Sequence, residues 1–271
     1  MFNTGVDMSG AIRSILFIVF PVVLLSCGDD SEPIEPTPSK LIPISFKEGD
    51  LTKTLTHNEN GNLTEIRYQS GPIGTPIISY HRFVYNDQGR LTASSTDTGW
   101  RYEYTYSGEL IRETQEYVNG SISDRHTFSY DAKGRLVEQI TYQNIPSEGG
   151  IIPVAKTTYQ YEGDNMVAQR LYYYTSYGLE ARLLTEFYYS DFDSMINSED
   201  YFDVIGVNPL LKFSKNNPRK MIVKNGNGTV TSTDTYRYEY HPKGYATSKK
   251  VTTKFYHGGE GTYEATYSFV E

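Results

Sequence analysis

Histidines and paired carboxylates are the residues of this sequence most able to do chemistry, because both can hold metals or move protons. The five histidines are His57, His81, His126, His241 and His257. No two of them have metal-site spacing, and the chain has no phosphate loop or nucleophile elbow. We therefore predict no metal, no cofactor and no catalytic residue, and a protein that is not an enzyme. A hydrolase whose carboxylates converge from distant strands is the less favoured alternative.

Acidic residues are concentrated in "SDFDSMINSEDYFD", Ser190 to Asp203. Such oxygen-rich runs can bind Ca²⁺. The run lacks the ligand spacing of a calcium loop, so we expect a solvated acidic turn. The whole chain is also acidic, with a formal net charge of −8. An acidic surface argues against nucleic acid as a partner.

Tyrosine is strongly enriched, with 25 copies, and many alternate with polar residues. The candidate binding surface taken from this alternation is Trp100, Tyr102, Tyr104, Tyr236 and Tyr238. These rings could form a stacking platform for sugar or peptide. The favoured interpretation is that they pair across strands and hold a sheet together, because the tyrosine pattern follows the whole repeat.

The elements that carry these tyrosines repeat along the chain. "YNDQGRL" begins at Tyr85 and "YDAKGRL" at Tyr130, and two further units align with them at His57 and Tyr240; looser versions begin at Tyr106, Tyr161, Tyr189 and Phe213. A regular period of this kind is typical of repeat architectures. Each unit has hairpin chemistry, with an Asx side chain that accepts turn N–H groups and a glycine at positive φ. The predicted turn residues are Asn86, Gly89, Asp131, Gly134, Gly61 and Gly244.

The arms of the units predict β-strands. "WRYEYTY" (Trp100 to Tyr106) and "TYRYEY" (Thr235 to Tyr240) alternate with period two. We predict an all-β fold, an antiparallel meander of about sixteen strands, two per unit, that is strongly curved or barrel-like because large sheets curl or close. Val204 to Phe213 breaks the pattern and is predicted to be a long connection or a short helix. The strand side chains of a closed barrel this large could not fill it.

The N-terminal region predicts where the protein resides. "ILFIVFPVVLL" (Ile15 to Leu25) has the length of a signal-peptide core, and "LLSC" after it resembles the lipobox of bacterial lipoproteins. Cys27, the only cysteine, would then be lipidated and attach the protein to a membrane. We divide the chain into a signal peptide (1–26), the lipidated cysteine with an acidic, proline-rich tether (27–43) and one β-repeat domain (44–271). Acidic residues after Cys27 resemble a surface-export signal, which predicts an outer-membrane lipoprotein at the cell surface; a periplasm-facing lipoprotein is the alternative.

"YNDQGRL" and "YDAKGRL" resemble the YD repeat of the RHS family, Tyr-Asp-x-x-Gly-Arg-Leu. The lipobox, the acidic tether and "YEYHPKGYATSKKV" together resemble Gram-negative lipoproteins of unknown function with a porin-like fold. The likeness covers most of residues 50 to 270 and implies a β-shell without a catalytic residue. The leading expectation is a lipid-anchored envelope protein that binds or adheres to a glycan or protein ligand. The alternative is a glycan-capture accessory protein of nutrient uptake.

Overall fold

The computed structural model describes residues 41–71, 75–145, 150–175, 180–202, 204 and 206–271. The predicted signal peptide, Cys27 and most of the tether lie outside the described residues. The described residues form sixteen β-strands: β1 Ile42–Glu48, β2 Leu51–His57, β3 Leu63–Ser70, β4 Ile77–Tyr85, β5 Leu91–Thr96, β6 Trp100–Ser107, β7 Leu110–Val118, β8 Ser121–Tyr130, β9 Leu136–Ile145, β10 Gly150–Glu162, β11 Asn165–Thr175, β12 Glu180–Ser190, β13 Lys220–Asn225, β14 Val230–Tyr240, β15 Ala246–Phe255 and β16 Glu260–Val270.

The strands form one closed barrel. Neighbours in the chain pair antiparallel, and β1 pairs with β16. The predicted fold class, an all-β meander of about sixteen strands with a barrel-like shape, is confirmed. Among the described residues no helix is long and apolar enough to cross a membrane.

The alternation along each strand decides which side chains face inward. On β6, Tyr104 is buried, whereas Arg101 and Glu103 form an ion pair outside. Directly opposite residues on neighbouring strands share a face, and the register relates Tyr104 to Thr114 on β7 and to His126 on β8. All three are buried. The core therefore lies inside the barrel, and the charged pair on β6 lies outside.

The two ends of the barrel differ. The turns of the best repeat units, residues 58–62, 86–90, 131–135 and 241–245, share one end, which we call the motif end. Both ends of the described chain lie there too, since Ile42 pairs with Val270. The opposite end, the far end, carries turns such as Asp97–Gly99 between β5 and β6.

Residues 191–219 connect β12 to β13 at the motif end and fold into the lumen; we call them the inserted segment. It contains a short 3-10 helix, Glu199–Tyr201. The next residue, Phe202, is only 1% exposed. Its ring packs against Phe46, Tyr267 and Phe269, with centroids 6.0, 5.4 and 5.8 Å away. The segment thus supplies the interior volume that the strand side chains of so wide a barrel could not fill.

Hydrogen bonds hold the inserted segment against many strands. The hydroxyls of Tyr104 and Thr114 donate to the carbonyl oxygens of Gly206 (2.6 Å) and Val207 (2.7 Å). From other parts of the wall, Tyr238 donates to the carbonyl of Pro218 (2.9 Å) and the Lys53 ammonium to that of Phe202 (3.1 Å). These bonds satisfy backbone groups that would be costly to bury without partners.

The inserted segment corrects one part of the sequence analysis. The looser units at Tyr189 and Phe213 are not hairpins: β12 ends at Ser190, and Phe213 lies within the inserted segment. The broken pattern from Val204 to Phe213 is part of this long connection, and the short helix precedes it. These two units therefore supply one connection, between β12 and β13, where two hairpins were predicted. The described residues still form sixteen strands, because β1 and β16 pair with each other and close the barrel.

Candidate ligand-binding cavity

The rim of the motif end is built from repeated turns of one geometry. The Asn86 side-chain oxygen accepts the backbone N–H groups of Gln88 (3.1 Å) and Arg90 (2.9 Å). Asp131 does the same for Lys133 (2.9 Å) and Arg135 (3.0 Å). The glycines Gly61, Gly89, Gly134 and Gly244 have φ values of 76°, 74°, 77° and 84°. At such angles a Cβ is disfavoured, which is why glycine recurs there.

Some repeat units also contact the unit before them. The hydroxyl of Tyr85 donates to the carbonyl of Leu63 (2.9 Å), and that of Tyr106 to the carbonyl of Leu91 (2.9 Å). The Arg90 guanidinium lies over the ring of Tyr106, 4.7 Å from its centroid. Tyrosine, arginine and leucine of the motif thus link neighbouring hairpins into a rim.

A cavity of about 650 Å³ lies between this rim and the inserted segment. We call it the motif-end cavity. From the rim it is lined by His57, Leu63, Tyr85, Arg90, Leu91 and Tyr106; from the segment it is lined by Asp200, Tyr201, Val204, Leu210, Leu211 and Lys212. Three tyrosine rings and several polar groups therefore surround one space, of a size that holds small ligands in other proteins.

The inserted segment brings two opposite charges to this cavity. Asp200 accepts the backbone N–H groups of Phe213 (3.0 Å) and Ser214 (3.1 Å). Burial nevertheless raises the pKa of this carboxyl to about 6. The Lys212 ammonium lies 3.9 Å from the ring centroid of Tyr201, and burial lowers its pKa. Asp200, Val204 and Leu211 also line an adjoining inner cavity of about 400 Å³.

The predicted binding surface does not form one platform. Tyr102 and Tyr104 lie on β6, and Tyr236 and Tyr238 on β14, eight strands away around the ring of sixteen. Tyr104 and Tyr238 both hydrogen-bond to the inserted segment. Trp100 lies at the far end of β6, 38% exposed. Tyr104 and Tyr238 therefore hold the protein's own chain, and a binding role for the other residues of this surface stays a prediction.

The acidic run is not the solvated turn that we expected. Glu199 forms an ion pair with the buried Lys249, and Asp200 caps backbone N–H groups. Asp193 accepts the N–H of Met195 (2.9 Å) and the hydroxyl of Tyr240. These carboxylates hold the inserted segment together instead of facing water. Asp191 is exposed, and Asp203 lies outside the described residues. Among the described residues, no group of His, Cys, Asp and Glu is arranged to hold a metal.

One buried network was not visible in the sequence. His81 Nε2 lies 2.8 Å from the Ser94 hydroxyl, which lies 2.6 Å from the Tyr104 hydroxyl. A serine beside a histidine can be a nucleophile. Here Ser94 is 1% exposed, and burial lowers the pKa of His81 to about 4. The hydroxyl is closed to solvent in this structure, and the network connects the wall to Gly206.

Comparisons with known proteins identify a shared fold. No family model matches the sequence, and no curated protein matches it. The barrel is similar to a porin-like protein from Bacteroides uniformis, with a TM-score of 0.62 at 15% identity, over 85% of this chain and 96% of that chain. A porin-like protein from Bacteroides vulgatus aligns with a TM-score of 0.46 at 9% identity, over 83% of this chain and 97% of that chain. The first likeness supports the porin-like part of the predicted resemblance. The YD-repeat resemblance stays a prediction.

Proposed function

We propose that this protein is a lipid-anchored, non-enzymatic cell-envelope protein that binds a ligand in the motif-end cavity. The observation that carries the proposal is the cavity itself: about 650 Å³, walled by repeat turns on one side and by the inserted segment on the other. The anchor is the lipid predicted at Cys27, and an envelope location agrees with the porin-like fold of the structural neighbour.

The charged residues on the outer wall favour a barrel surrounded by water over one embedded in a membrane. Ion pairs join directly opposite residues there, including Arg82 with Glu65 (2.9 Å) and Lys250 with Glu264 (3.2 Å). Arg82, Lys250 and Glu264 are more than half exposed at their side chains. A charged residue facing acyl chains at mid-membrane costs about 2–4 kcal/mol. A wall with repeated charged pairs therefore favours attachment by lipid over insertion of the barrel.

The contents of the lumen support binding over conduction. Phe202 is packed among aromatic side chains of the wall, and hydrogen bonds hold the inserted segment to several strands. A conducting barrel needs a continuous water-filled path. We therefore propose that the side chains inside the barrel hold the inserted segment in place as one wall of the binding site, and that the barrel does not transport solutes through its lumen.

A glycan is the ligand class that we favour. Rings such as those of Tyr85, Tyr106 and Tyr201 can stack on the apolar faces of sugar rings, because they offer broad apolar surfaces with a polar edge. Asp200 and Lys212 add an acceptor and a donor for hydroxyl groups. A cavity of about 650 Å³ suits one or two sugar units. This chemistry favours the glycan-capture alternative over adhesion to a protein.

A glycan array on the full chain carrying Cys27→Ser tests the proposal. Cys27→Ser removes the predicted lipid and changes no described residue. We expect selective binding to at least one glycan class, and an affinity loss of about fivefold or more for Lys212→Ala. Lys250→Ala on the outer wall, 52% exposed at its side chain, is the matched control. Binding that Lys212→Ala leaves unchanged would move the site elsewhere. If no glycan binds, glycan capture is wrong, and pull-down from envelope extracts tests the protein-ligand alternative.

A further inference from the structure

The inner cavity of about 400 Å³ lies inside the barrel beside the motif-end cavity. Tyr159, Met166 and Tyr189 line it from strands β10 to β12, and Asn197 and Phe213 line it from the inserted segment. The rings of Tyr159 and Phe213 pack together, with centroids 5.1 Å apart, where the wall meets the segment. Elsewhere the same two elements leave a space whose volume is in the range of small-ligand sites.

Two hydrogen-bond donors that line this cavity lack partners in the protein. Asn197 is 8% exposed, and its Oδ1 accepts the backbone N–H of Glu199 (3.0 Å). That bond sets the orientation of the amide, and its Nδ2 has no acceptor among the described residues. The Tyr189 hydroxyl has no hydrogen-bond partner there either, and burial raises its pKa, so it keeps its proton. Because buried polar groups are nearly always hydrogen-bonded, these donors need acceptors from outside the chain.

The charged groups of the inner cavity, in contrast, have partners within the protein. Asp200 accepts two backbone N–H groups, and Glu199 pairs with Lys249. The Lys53 ammonium donates to the carbonyl of Phe202 (3.1 Å). A charged ligand would lack a counter-charge here, and burying an unpaired charge is costly. The two free donors therefore favour a neutral ligand that carries oxygen acceptors.

The rest of the lining is largely apolar. Met166, Val204 and Leu211 present hydrocarbon surface in the same space as the two free donors. Ordered water would satisfy the donors but not these apolar side chains. A sugar ring satisfies both, because its hydroxyl oxygens lie around the edge and its C–H groups form apolar faces. The mixture of apolar lining and a few placed polar groups is typical of small-molecule sites.

The inner cavity is directly next to the motif-end cavity. Asp200, Val204 and Leu211 line both spaces. Because the same side chains border both, only a single layer of side chains separates them. One sugar chain is therefore long enough to contact both cavities.

We propose that the inner cavity is a subsite for one neutral sugar unit, with the Tyr189 hydroxyl and Asn197 Nδ2 donating to its oxygens. This proposal rests on the glycan binding proposed for the motif-end cavity and extends it. The neighbouring unit of the same glycan occupies the motif-end cavity, so the protein holds at least two units.

Ligand-detected NMR with neutral methyl glycosides of glucose, galactose, mannose and N-acetylglucosamine tests the subsite, with methyl glucuronide as the charged comparison. The full chain carrying Cys27→Ser is compared with the same chain bearing Tyr189→Phe, Tyr188→Phe or Lys212→Ala. Tyr188 is the matched control because it precedes Tyr189 on β12 and therefore faces the outer wall, where its hydroxyl donates to Glu186 (2.7 Å). Lys212 lines the motif-end cavity and not the inner cavity.

We expect saturable binding of at least one neutral glycoside and none of methyl glucuronide. Tyr189→Phe should lower the affinity about fivefold or more, whereas Tyr188→Phe and Lys212→Ala should leave it unchanged. Tyr189→Phe should also melt at the parent temperature, because the lost hydroxyl has no partner in the protein. That result separates lost binding from lost folding.

Three outcomes would overturn the subsite: no neutral glycoside binds, the glucuronide binds as well as the neutral glycosides, or Tyr189→Phe binds like the parent. A loss in Lys212→Ala without a loss in Tyr189→Phe would place the sugar in the motif-end cavity, so the subsite would be wrong and glycan binding would stand. Glycoside binding that depends on Tyr189 but not on Lys212, in a chain whose glycan-array binding ignores Lys212→Ala, would support the subsite and reject the motif-end site.

Discussion

Three tyrosine hydroxyls at the motif end each have a defined partner in the neighbouring repeat unit. The hydroxyls of Tyr85, Tyr106 and Tyr130 donate to the backbone carbonyls of Leu63, Leu91 and Ile111. Phenylalanine would fill the same space without this bond. The choice of tyrosine therefore reflects the satisfaction of carbonyl groups at strand ends as well as the burial of a ring.

Replacing Tyr106 by phenylalanine tests this role. Tyr106→Phe removes the donor to the Leu91 carbonyl (2.9 Å) and keeps the ring under Arg90. We expect the free energy of unfolding to fall by about 1 kcal/mol, the usual net value of such a bond. Tyr256→Phe is the matched control because Tyr256 is 64% exposed. Equal urea midpoints for the two variants would show that the hydroxyl contributes nothing to stability.

Glycine in the repeat turn gives a second prediction. Gly134 has φ of 77°, and an added Cβ would have its nearest neighbours, atoms of the Leu110 side chain, at 3.8 Å, so the cost of a side chain comes from the backbone angle. We expect Gly134→Val to lower the unfolding free energy by about 1 kcal/mol or more. Lys133→Ala, one position earlier, should change little. Denaturant midpoints measure both, and coincident midpoints would contradict the turn assignment.

At the scale of elements, polar contacts with the wall fix the position of the inserted segment. Thr114 is fully buried, and its hydroxyl donates to the Val207 carbonyl at 2.7 Å. Tyr104 and Asn208 add bonds on either side of that contact. Gly206 lies against the ring of Tyr102, whose nearest atom would be 2.6 Å from a Cβ at that position. These contacts therefore fix the inserted segment at one position against strands β6 to β8.

Thr114→Val should weaken the attachment of the inserted segment to β6–β8 without leaving a cavity. The two side chains have nearly the same shape, so the change mainly leaves the Val207 carbonyl without its donor, at a cost of about 1–3 kcal/mol. Hydrogen exchange should accelerate at the amides of residues 206–208, 210 and 211 and stay unchanged in β3 to β5. Thr105→Val, on the outer face of β6, is the control. Uniform acceleration over the whole barrel would show that the segment does not open locally.

Asp200 makes the stability of the segment depend on pH. Its pKa is raised from 3.8 to about 6 by burial, so the folded chain binds more protons than the unfolded chain between these values. The contribution of this carboxyl to stability therefore falls as pH rises through that window and is constant above it. Asp200→Asn keeps an acceptor for the Phe213 and Ser214 amides.

We therefore expect Asp200→Asn to be about as stable as the parent at pH 4 and more stable at pH 7. Urea unfolding of both proteins at the two pH values measures the difference. A stability difference that is the same at pH 4 and pH 7 would mean that Asp200 does not titrate in this window.

At the scale of the whole molecule, the features predictable from sequence are those that depend on near neighbours in the chain. Asp131 and Gly134 shape a turn of a few residues, and the alternation from Trp100 to Tyr106 defines a strand by itself. The position of the inserted segment depends on residues far away: Val207 and Gly206 bond to side chains 93 and 102 positions earlier. The break at Val204–Phe213 was visible, but its place inside the barrel was not.

The same dependence on residues distant in the chain explains why the predictions about individual sites were incomplete. Alternating tyrosines fit both a binding platform and the packed wall that we favoured, because the pattern defines a face and not what lies against it. The acidic run from Ser190 to Asp203 looked solvated because Lys249, the partner of Glu199, is 50 positions away. The motif-end cavity has no local sequence signal, since its two sides come from opposite halves of the chain.

Attachment of the whole molecule is tested at Cys27. We expect a fatty-acid probe to label the parent chain and not Cys27→Ser. Because the outer wall carries charged pairs, the unlipidated Cys27→Ser barrel should fractionate with soluble proteins and be monodisperse without detergent. Equal labelling of both chains would refute lipidation. A Cys27→Ser protein that stays in the membrane fraction until detergent is added would refute a barrel surrounded by water.

The pairing of β1 with β16 has a mechanical consequence. Ile42 and Val270 meet at the motif end, and β1 runs from there along the wall between β16 and β2. The hydrogen bonds of an antiparallel ladder are perpendicular to its strands. A pull on residue 41 away from the motif end is therefore directed along β1 and strains the bonds of both ladders together, in shear, instead of opening them one by one. A barrel joined in this way resists tension applied at its N-terminal side, because many hydrogen bonds must break at once.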